Sequence, residues 1–207
     1  MLRIDHVLIA VRDLEAAADA IWRAHGLVAV PGGRHPAWGT GNAIVPLGPD
    51  YVELIAAVDP ARARTSDLGR AVLERAADGD RPFAVCLRTD DLDAVARRLG
   101  IVPTEGVRTR PDGTEIRWRS VGLERTVAEP SFPFFIEWSV PAALHPGRAP
   151  ARHAVRPRGI AWAQVGGDER AIRAWVGDAS VPLRVVDGPP GLAAVGIAAV
   201  GREIVLA

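Results

Sequence analysis

Arg3 to Val11 is a largely apolar run of strand length, after which apolar residues recur at helical spacing. Ile4, His6, Leu8 and Ala10 fall on one face of an expected strand, and Val7, Ile9 and Val11 on the other. Both faces are largely apolar, so the strand is expected to be covered on both sides, with a histidine in its middle. Asp13 stands where a helix N-cap belongs, and Leu14, Ala17, Ala18, Ile21 and His25 form one helical stripe that ends at Gly26. Strands are expected at 27–30, 43–47 and 51–58. A polar and aromatic loop, Arg34 to Asn42, precedes the second of them, and Gly48-Pro49-Asp50 is a turn before the third.

The plan then restarts. Residues 59–80 read as a connector with a short helix capped by Ser66. Phe83 to Thr89 is a strand, and Asp91 caps a helix carrying Leu92, Val95 and Leu99 that ends at Gly100. Strands follow at 102–110, 115–121 and 132–140. The pattern predicts two β-α-β-β-β modules, 1–58 and 81–140, paired within residues 1–140. A proline-rich linker spans 141–158, and a third, shortened β-α-β module spans 159–207.

Composition narrows the picture. Hydrophobic residues make up 48% of the 207, enough for a sizeable core. No apolar run approaches the roughly 18 residues of a membrane span, and no signal-peptide pattern is visible at the N-terminus. The net charge is +0, which argues against nucleic-acid and membrane-surface partners. The single cysteine, Cys86, sits in an apolar run, so a reduced, cytoplasmic setting is expected. Every basic residue is arginine, which excludes lysine Schiff-base chemistry; no nucleotide-binding motif is present, and no nucleotide cofactor is expected. The weight of alanine, arginine, glycine and proline looks like a GC-rich bacterial coding bias.

Certain segments resemble the vicinal oxygen chelate superfamily, which includes glyoxalase I, extradiol dioxygenases and bleomycin-resistance proteins. They are Ile4-Asp5-His6-Val7 with Asp13-Leu14, His35-Pro36-Ala37-Trp38-Gly39-Thr40-Gly41-Asn42, Tyr51-Val52-Glu53-Leu54-Ile55, Arg108 through Gly113, and Pro133 to Trp138 with His145-Pro146. The nearest likeness is to the glyoxalase-like domain branch, over residues 2–146. The resemblance implies an α+β fold in which paired modules form a curled, cleft-enclosing mixed sheet. Metal ligands in that superfamily come from the first and fourth strands of each module. Carried over, they are His6, Glu53 and Glu137, with Ala84 at the fourth position, where alanine cannot bind a metal. Those three residues are the expected catalytic and metal-ligating set, for a divalent ion such as Zn, Ni, Fe or Mn. His35, Trp38, Asn42, Arg108, Arg110 and Trp118 are the expected substrate contacts, the arginines because a forked guanidinium suits a carboxylate. Two functions follow. The first is a metal-assisted lyase or isomerase acting on a small oxygen-rich anionic metabolite; a dioxygenase, which needs two histidines and a carboxylate, fits less well. The second is a metal-free binding or sequestration protein of the bleomycin-resistance type, with Trp38, Tyr51, Trp118 and Phe135 as candidate cleft walls. Either would act as a monomer or a homodimer.

Overall fold

The computed structural model describes residues 1–109, 112–177 and 179–207. The first module is β1 (Arg3–Ala10), α1 (Leu14–His25), β2 (Val30–His35), β3 (Thr40–Pro46) and β4 (Tyr51–Ala57). Helices α2 (Pro60–Ala63) and α3 (Asp67–Arg75) connect it to the second module. That module is β5 (Arg81–Arg88), α4 (Leu92–Leu99), β6 (Thr104–Thr109), β7 (Glu115–Val121), α5 (Leu123–Ala128) and β8 (Phe134–Trp138). The helix starts follow the capping logic. Asp13 accepts the Ala16 N–H, Asp91 the Ala94 N–H and Ser66 the Gly69 N–H, while Gly26 and Gly100 close α1 and α4 in the left-handed conformation.

The eight strands of the two modules close into a barrel in the order β1-β4-β3-β2-β6-β7-β8-β5. The modules meet along β1 and β5, which run antiparallel with His6 opposite Cys86, Val7 opposite Val85 and Leu8 opposite Ala84. The displacement that carries Asp13 onto Asp91 carries His6 onto Ala84 and Leu8 onto Cys86. The pairing therefore has an internal two-fold centred on Val7 and Val85. At the other seam, among the described residues, β2 and β6 pair through Arg34 and Thr109. The segment expected as a loop at 34–42 supplies the end of β2 and the start of β3. Strand β2 runs through Pro31-Gly32-Gly33 because the Gly32 backbone is packed against the Asn42 side chain. A Cβ at Gly32 would lie 2.0 Å from Asn42 Oδ1.

Strand β1 is not the simple alternation its sequence suggests. Its register slips between Ile4 and His6, leaving Asp5 as the extra residue of a β-bulge. Ile4 therefore joins the outer core with Val7 and Val11, whereas Leu8 and Ala10 join the inner one. Asp5 and His6 are both buried. Helix α3 adds Leu68 and Val72 to the inner core, and the Ala76 that caps its C-terminus joins them.

The remainder forms a second sheet, β10-β9-β11-β12, from β9 (Pro157–Gly166), α6 (Glu169–Val176), β10 (Leu183–Val186), β11 (Gly191–Ala199) and β12 (Arg202–Leu206). Its wiring differs from that of the barrel modules: the strand after the helix, β10, lies directly beside β9 in parallel. Its apolar face shares the outer core of the barrel. The stretch 141–156 carries two short 3-10 turns and is tied down by its histidines. His153 accepts the Val28 N–H at 2.9 Å and reaches the Pro46 carbonyl at 2.8 Å. Among the described residues no helix is long and apolar enough to cross a membrane.

Asp50, in the β3–β4 turn, joins the barrel to this second sheet. Both its carboxylate oxygens accept the Ile160 N–H at 3.0 Å. Burial raises its pKa to about 7, against the opposing pull of that N–H. The folded protein thus holds this proton more tightly than the unfolded chain, whose carboxyl titrates near 4. Stability falls as pH rises from about 4 through 7 and the loss is complete above. Asp50→Asn keeps one acceptor oxygen and removes the charge. Urea unfolding across pH 4–8 is expected to show the variant gaining on the wild type as pH rises, by roughly 2–4 kcal/mol at pH 8.

Candidate functional site

Inward-facing residues of the barrel enclose a cavity of about 50 Å³, room for three or four waters at roughly 10–15 Å³ each. One side of its wall is polar and comes largely from the first module: His6, His35, Asn42, Tyr51 and Glu53, joined by Arg108 from β6. The other side is apolar, with Leu68, Trp118, Phe134, Ile136 and Trp138 among its members.

A chain of hydrogen bonds runs into the cavity from behind. Gly147 N–H donates to His145 Nδ1 at 3.1 Å, so the proton of that ring sits on Nε2 and is donated to Asp5 Oδ2 at 3.0 Å. Trp138 Nε1 donates to the same oxygen at 3.0 Å, and Arg88 Nε lies 3.4 Å from it. Asp5 Oδ1 faces His6 Nδ1 at 2.7 Å. Burial alone would push the Asp5 carboxyl up. The hydrogen bonds from His145 and His6, with the charges of those rings, overcome it and hold Asp5 well below the usual carboxylate range. Asp5 is therefore an acceptor, His6 carries a proton on Nδ1, and His6 Nε2 is turned toward Glu53 Oε2, 3.5 Å away. The other Glu53 oxygen accepts from Asn42 Nδ2 at 2.6 Å, and Asn42 Oδ1 accepts the Gly33 N–H at 2.8 Å. Tyr51 stacks on His6, ring centroids 4.4 Å apart and 17° from parallel. Burial lifts its phenol well above the ordinary value, so the hydroxyl stays protonated as a donor.

Arg108 is 5% exposed. Its Nη1 is buried without a hydrogen-bond partner, and no ion pair joins the guanidinium to any described residue. A buried cation left unpaired is costly, and Arg108 lies on the cavity wall. His35 bonds through Nδ1 to Thr40 Oγ1 at 3.0 Å. Burial lowers its pKa, with the Arg108 charge adding to this and the Glu53 charge opposing it.

Of the residues singled out from sequence, His6, Glu53, His35, Trp38, Asn42, Arg108 and Trp118 surround this one cavity. Arg110 lies outside the described residues. Phe135 belongs to the outer core, and the barrel-side aromatic from that strand is Phe134. Glu137, expected beside His6 and Glu53, does not line this cavity. Leu8 pairs with Glu53 on β4, and Cys86, the counterpart of Leu8, pairs with Phe134 on β8. The second-module counterpart of Glu53 is thus Phe134. Glu137 lies an odd number of residues further along and so on the opposite face. There it accepts the Leu92 N–H at 3.3 Å and the Arg119 guanidinium at 3.2 Å. Glu137→Ala is accordingly expected to leave ligand binding in the cavity within about twofold and to cost only about 1 kcal/mol of stability, as read by titration and urea unfolding.

A structural or catalytic divalent ion takes three or four protein ligands. The family positions provide His6 and Glu53 from one module, and Ala84 and Phe134 from the other. Among the described residues, Asp5, His6 and Cys86 bring their ligand atoms within 4.8 Å of one another. Asp5 is already committed to His6, His145 and Trp138, and burial raises the Cys86 thiol well above its ordinary value. His35 shares the wall with His6 and Glu53, but the three do not bring ligand atoms within 4.8 Å of one another, so no donor set among the described residues fits a resident divalent ion.

Sequence reasoning did not single out Asp5, because nothing local announces a bulge. His145 was visible only as part of an unassigned His-Pro pair.

The glyoxalase-like domain family matches residues 4–178. Among solved structures, a hypothetical protein from Staphylococcus aureus superposes with a TM-score of 0.71 at 16% identity, covering 93% of this chain and 88% of its own. A methylmalonyl-CoA epimerase from Mycobacterium tuberculosis is 23% identical, with a TM-score of 0.42 over 65% of this chain and 85% of its own. A methylmalonyl-CoA epimerase in complex with methylmalonyl-CoA and NH4+ is 20% identical, with a TM-score of 0.46 over 69% and 96%. No curated protein matches the chain.

Proposed function

Since this chain belongs to the glyoxalase-like domain family, we propose that its barrel interior is an active site for proton transfer on a small carboxylate, an isomerase- or lyase-type reaction. The observation that carries this reading is the convergence of an unpaired Arg108 and the Asp5–His6–Glu53 chain on one enclosed cavity. Arg108 receives the carboxylate through a charge-assisted, forked contact. His6, held by Asp5 with Nε2 inward, and Glu53, held by Asn42, flank the carbon that carries the labile proton, C2 of a 2-hydroxy acid or C3 of a 2-oxo acid. One takes a proton from that carbon and a proton is later returned to the product. Charge that builds on the substrate oxygens is met by Arg108 and by the Tyr51 hydroxyl. The apolar wall and the enclosure exclude water, and the volume limits the reacting part to a few heavy atoms.

The competing reading is sequestration, in which the same contacts bind but nothing reacts. It shares the Arg108 prediction and parts from the enzyme at His6. A panel of two- to five-carbon 2-oxo and 2-hydroxy acids, titrated by ligand-observed NMR, tests the shared part. At least one acid is expected to bind, and Arg108→Met to weaken it about 30-fold or more. Binding that is indifferent to Arg108 would remove the anchor on which both readings depend.

A further inference from the structure

The two halves of the barrel are related by register, yet their chemistry is not. His6 maps onto Ala84 across the β1–β5 pairing, and Glu53 maps onto Phe134 through the β1–β4 and β5–β8 pairings. Half of the family's ligand positions are therefore a methyl group and a phenyl ring, and that half of the cavity has become its apolar wall. What remains at those positions is a histidine and a carboxylate, and His35 on the same wall does not bring a ring nitrogen within 4.8 Å of both, so no third ligand among the described residues completes a divalent-ion site. The same cavity contains a cation of its own, because Arg108 is buried with a free Nη1 and no partner among the described residues.

We propose that Arg108 takes the electrostatic place of the divalent ion, so that the protein binds its carboxylate substrate without metal. A guanidinium offers two parallel N–H donors to a carboxylate and keeps its charge at any physiological pH. It stabilises negative charge on the substrate oxygens from a water-excluded position, the role a bound ion otherwise fills. The register supplies the reason for the exchange. A pair of ligands from one module cannot complete a coordination shell, whereas one arginine from β6 needs no second half-site. The fixed charge also disfavours an incoming divalent ion. This inference rests on the carboxylate reading given above.

The test has two independent arms on the full-length protein. In the first, metal content is measured after purification without chelator and again after incubation with excess Zn²⁺, Mn²⁺, Ni²⁺ or Fe²⁺ followed by desalting. The expected result is far less than one equivalent of each. Stoichiometric metal that disappears in Glu53→Gln overturns the inference whether or not any acid binds. In the second arm, the affinity for the best acid of the panel is measured with and without EDTA, and in Arg108→Ala with and without guanidinium chloride at tens of millimolar. EDTA is expected to change the wild-type affinity less than about twofold. Arg108→Ala should lose about 30-fold or more, and added guanidinium should recover about tenfold of it, while methylammonium at equal concentration recovers less. Affinity that falls with EDTA and returns with a divalent ion overturns the proposal. So does a folded Arg108→Ala variant that guanidinium does not rescue. If no acid binds wild type with or without added metal, the carboxylate reading fails and carries the Arg108 assignment down with it. The metal content distinguishes the two failures, because it is measured without any acid.

Discussion

Asp5→Asn is expected to destabilise the fold by about 2–4 kcal/mol at neutral pH and to reverse the tautomer of His6. Two donors hydrogen-bond to Asp5 Oδ2, His145 Nε2 and Trp138 Nε1, and the Arg88 guanidinium faces it at ion-pair distance. None can turn itself into an acceptor. Trp138 and Arg88 have no such form, and the His145 proton is fixed on Nε2 because Nδ1 already accepts from Gly147. The amide oxygen of the variant must therefore stay on that side, which places its NH2 group against His6 Nδ1. His6 can only remain bonded by accepting there and moving its proton to Nε2, toward Glu53. Urea unfolding reads the stability loss, and ¹⁵N shifts of the His6 ring read the tautomer. The pH dependence has a definite sign. The Asp5 pKa is depressed in the fold, so its contribution is present above about pH 4, the unfolded value, and is lost as pH falls further. The gap between wild type and Asp5→Asn should accordingly narrow in acid. An unchanged stability, or an unchanged His6 tautomer in a folded variant, would show that Asp5 does not organise the site.

His6→Gln is the second large effect. If His6 moves the substrate proton, its loss should cost about 10²–10⁴ in turnover, while affinity for the carboxylate changes less than about tenfold because Arg108 is untouched. A fall in turnover at near-constant binding distinguishes a proton-transfer group from a wall residue, whose removal would weaken binding and rate together. Glutamine retains polarity on β1 and cannot replace the imidazole as a proton carrier. A sequestration protein would show the binding half of this result and no turnover in either form.

Local signals carried much of the architecture. The repeated strand-to-helix step was visible because Asp13 and Asp91 each cap a helix that closes on a glycine, and such caps depend only on neighbours a few residues away. His6 and Glu53 were legible for a similar reason: each stands out as a polar residue in an otherwise apolar strand. Arg108 could be found from its place before the Pro-Asp-Gly turn. What failed were matters of register between distant strands. Glu137 is as conspicuous in its strand as Glu53, and only the pairing of Cys86 with Phe134 decides that it faces outward. Asp5 was hidden because alternation assigns it to the face opposite His6, and the bulge that brings the two together arises from the pairing of β1 with β5. The contact between Asp5 and His145 spans 140 positions in sequence, and no periodicity reports it. The strand expected at 27–30 is displaced to Val30–His35, because Pro31-Gly32-Gly33 resembles a break in the sequence. Its glycines serve instead to let the backbone approach Asn42.

The most direct measurement is solvent exchange in D₂O. Each panel acid that binds is incubated with wild-type protein and with His6→Gln, and deuterium entering C2 of a 2-hydroxy acid or C3 of a 2-oxo acid is followed by ¹H NMR. The proton-transfer account predicts incorporation with the wild type at least about 100-fold faster than with the variant or with buffer alone. Exchange no faster than buffer for every acid that binds would contradict it and leave a carboxylate-sequestering barrel as the function.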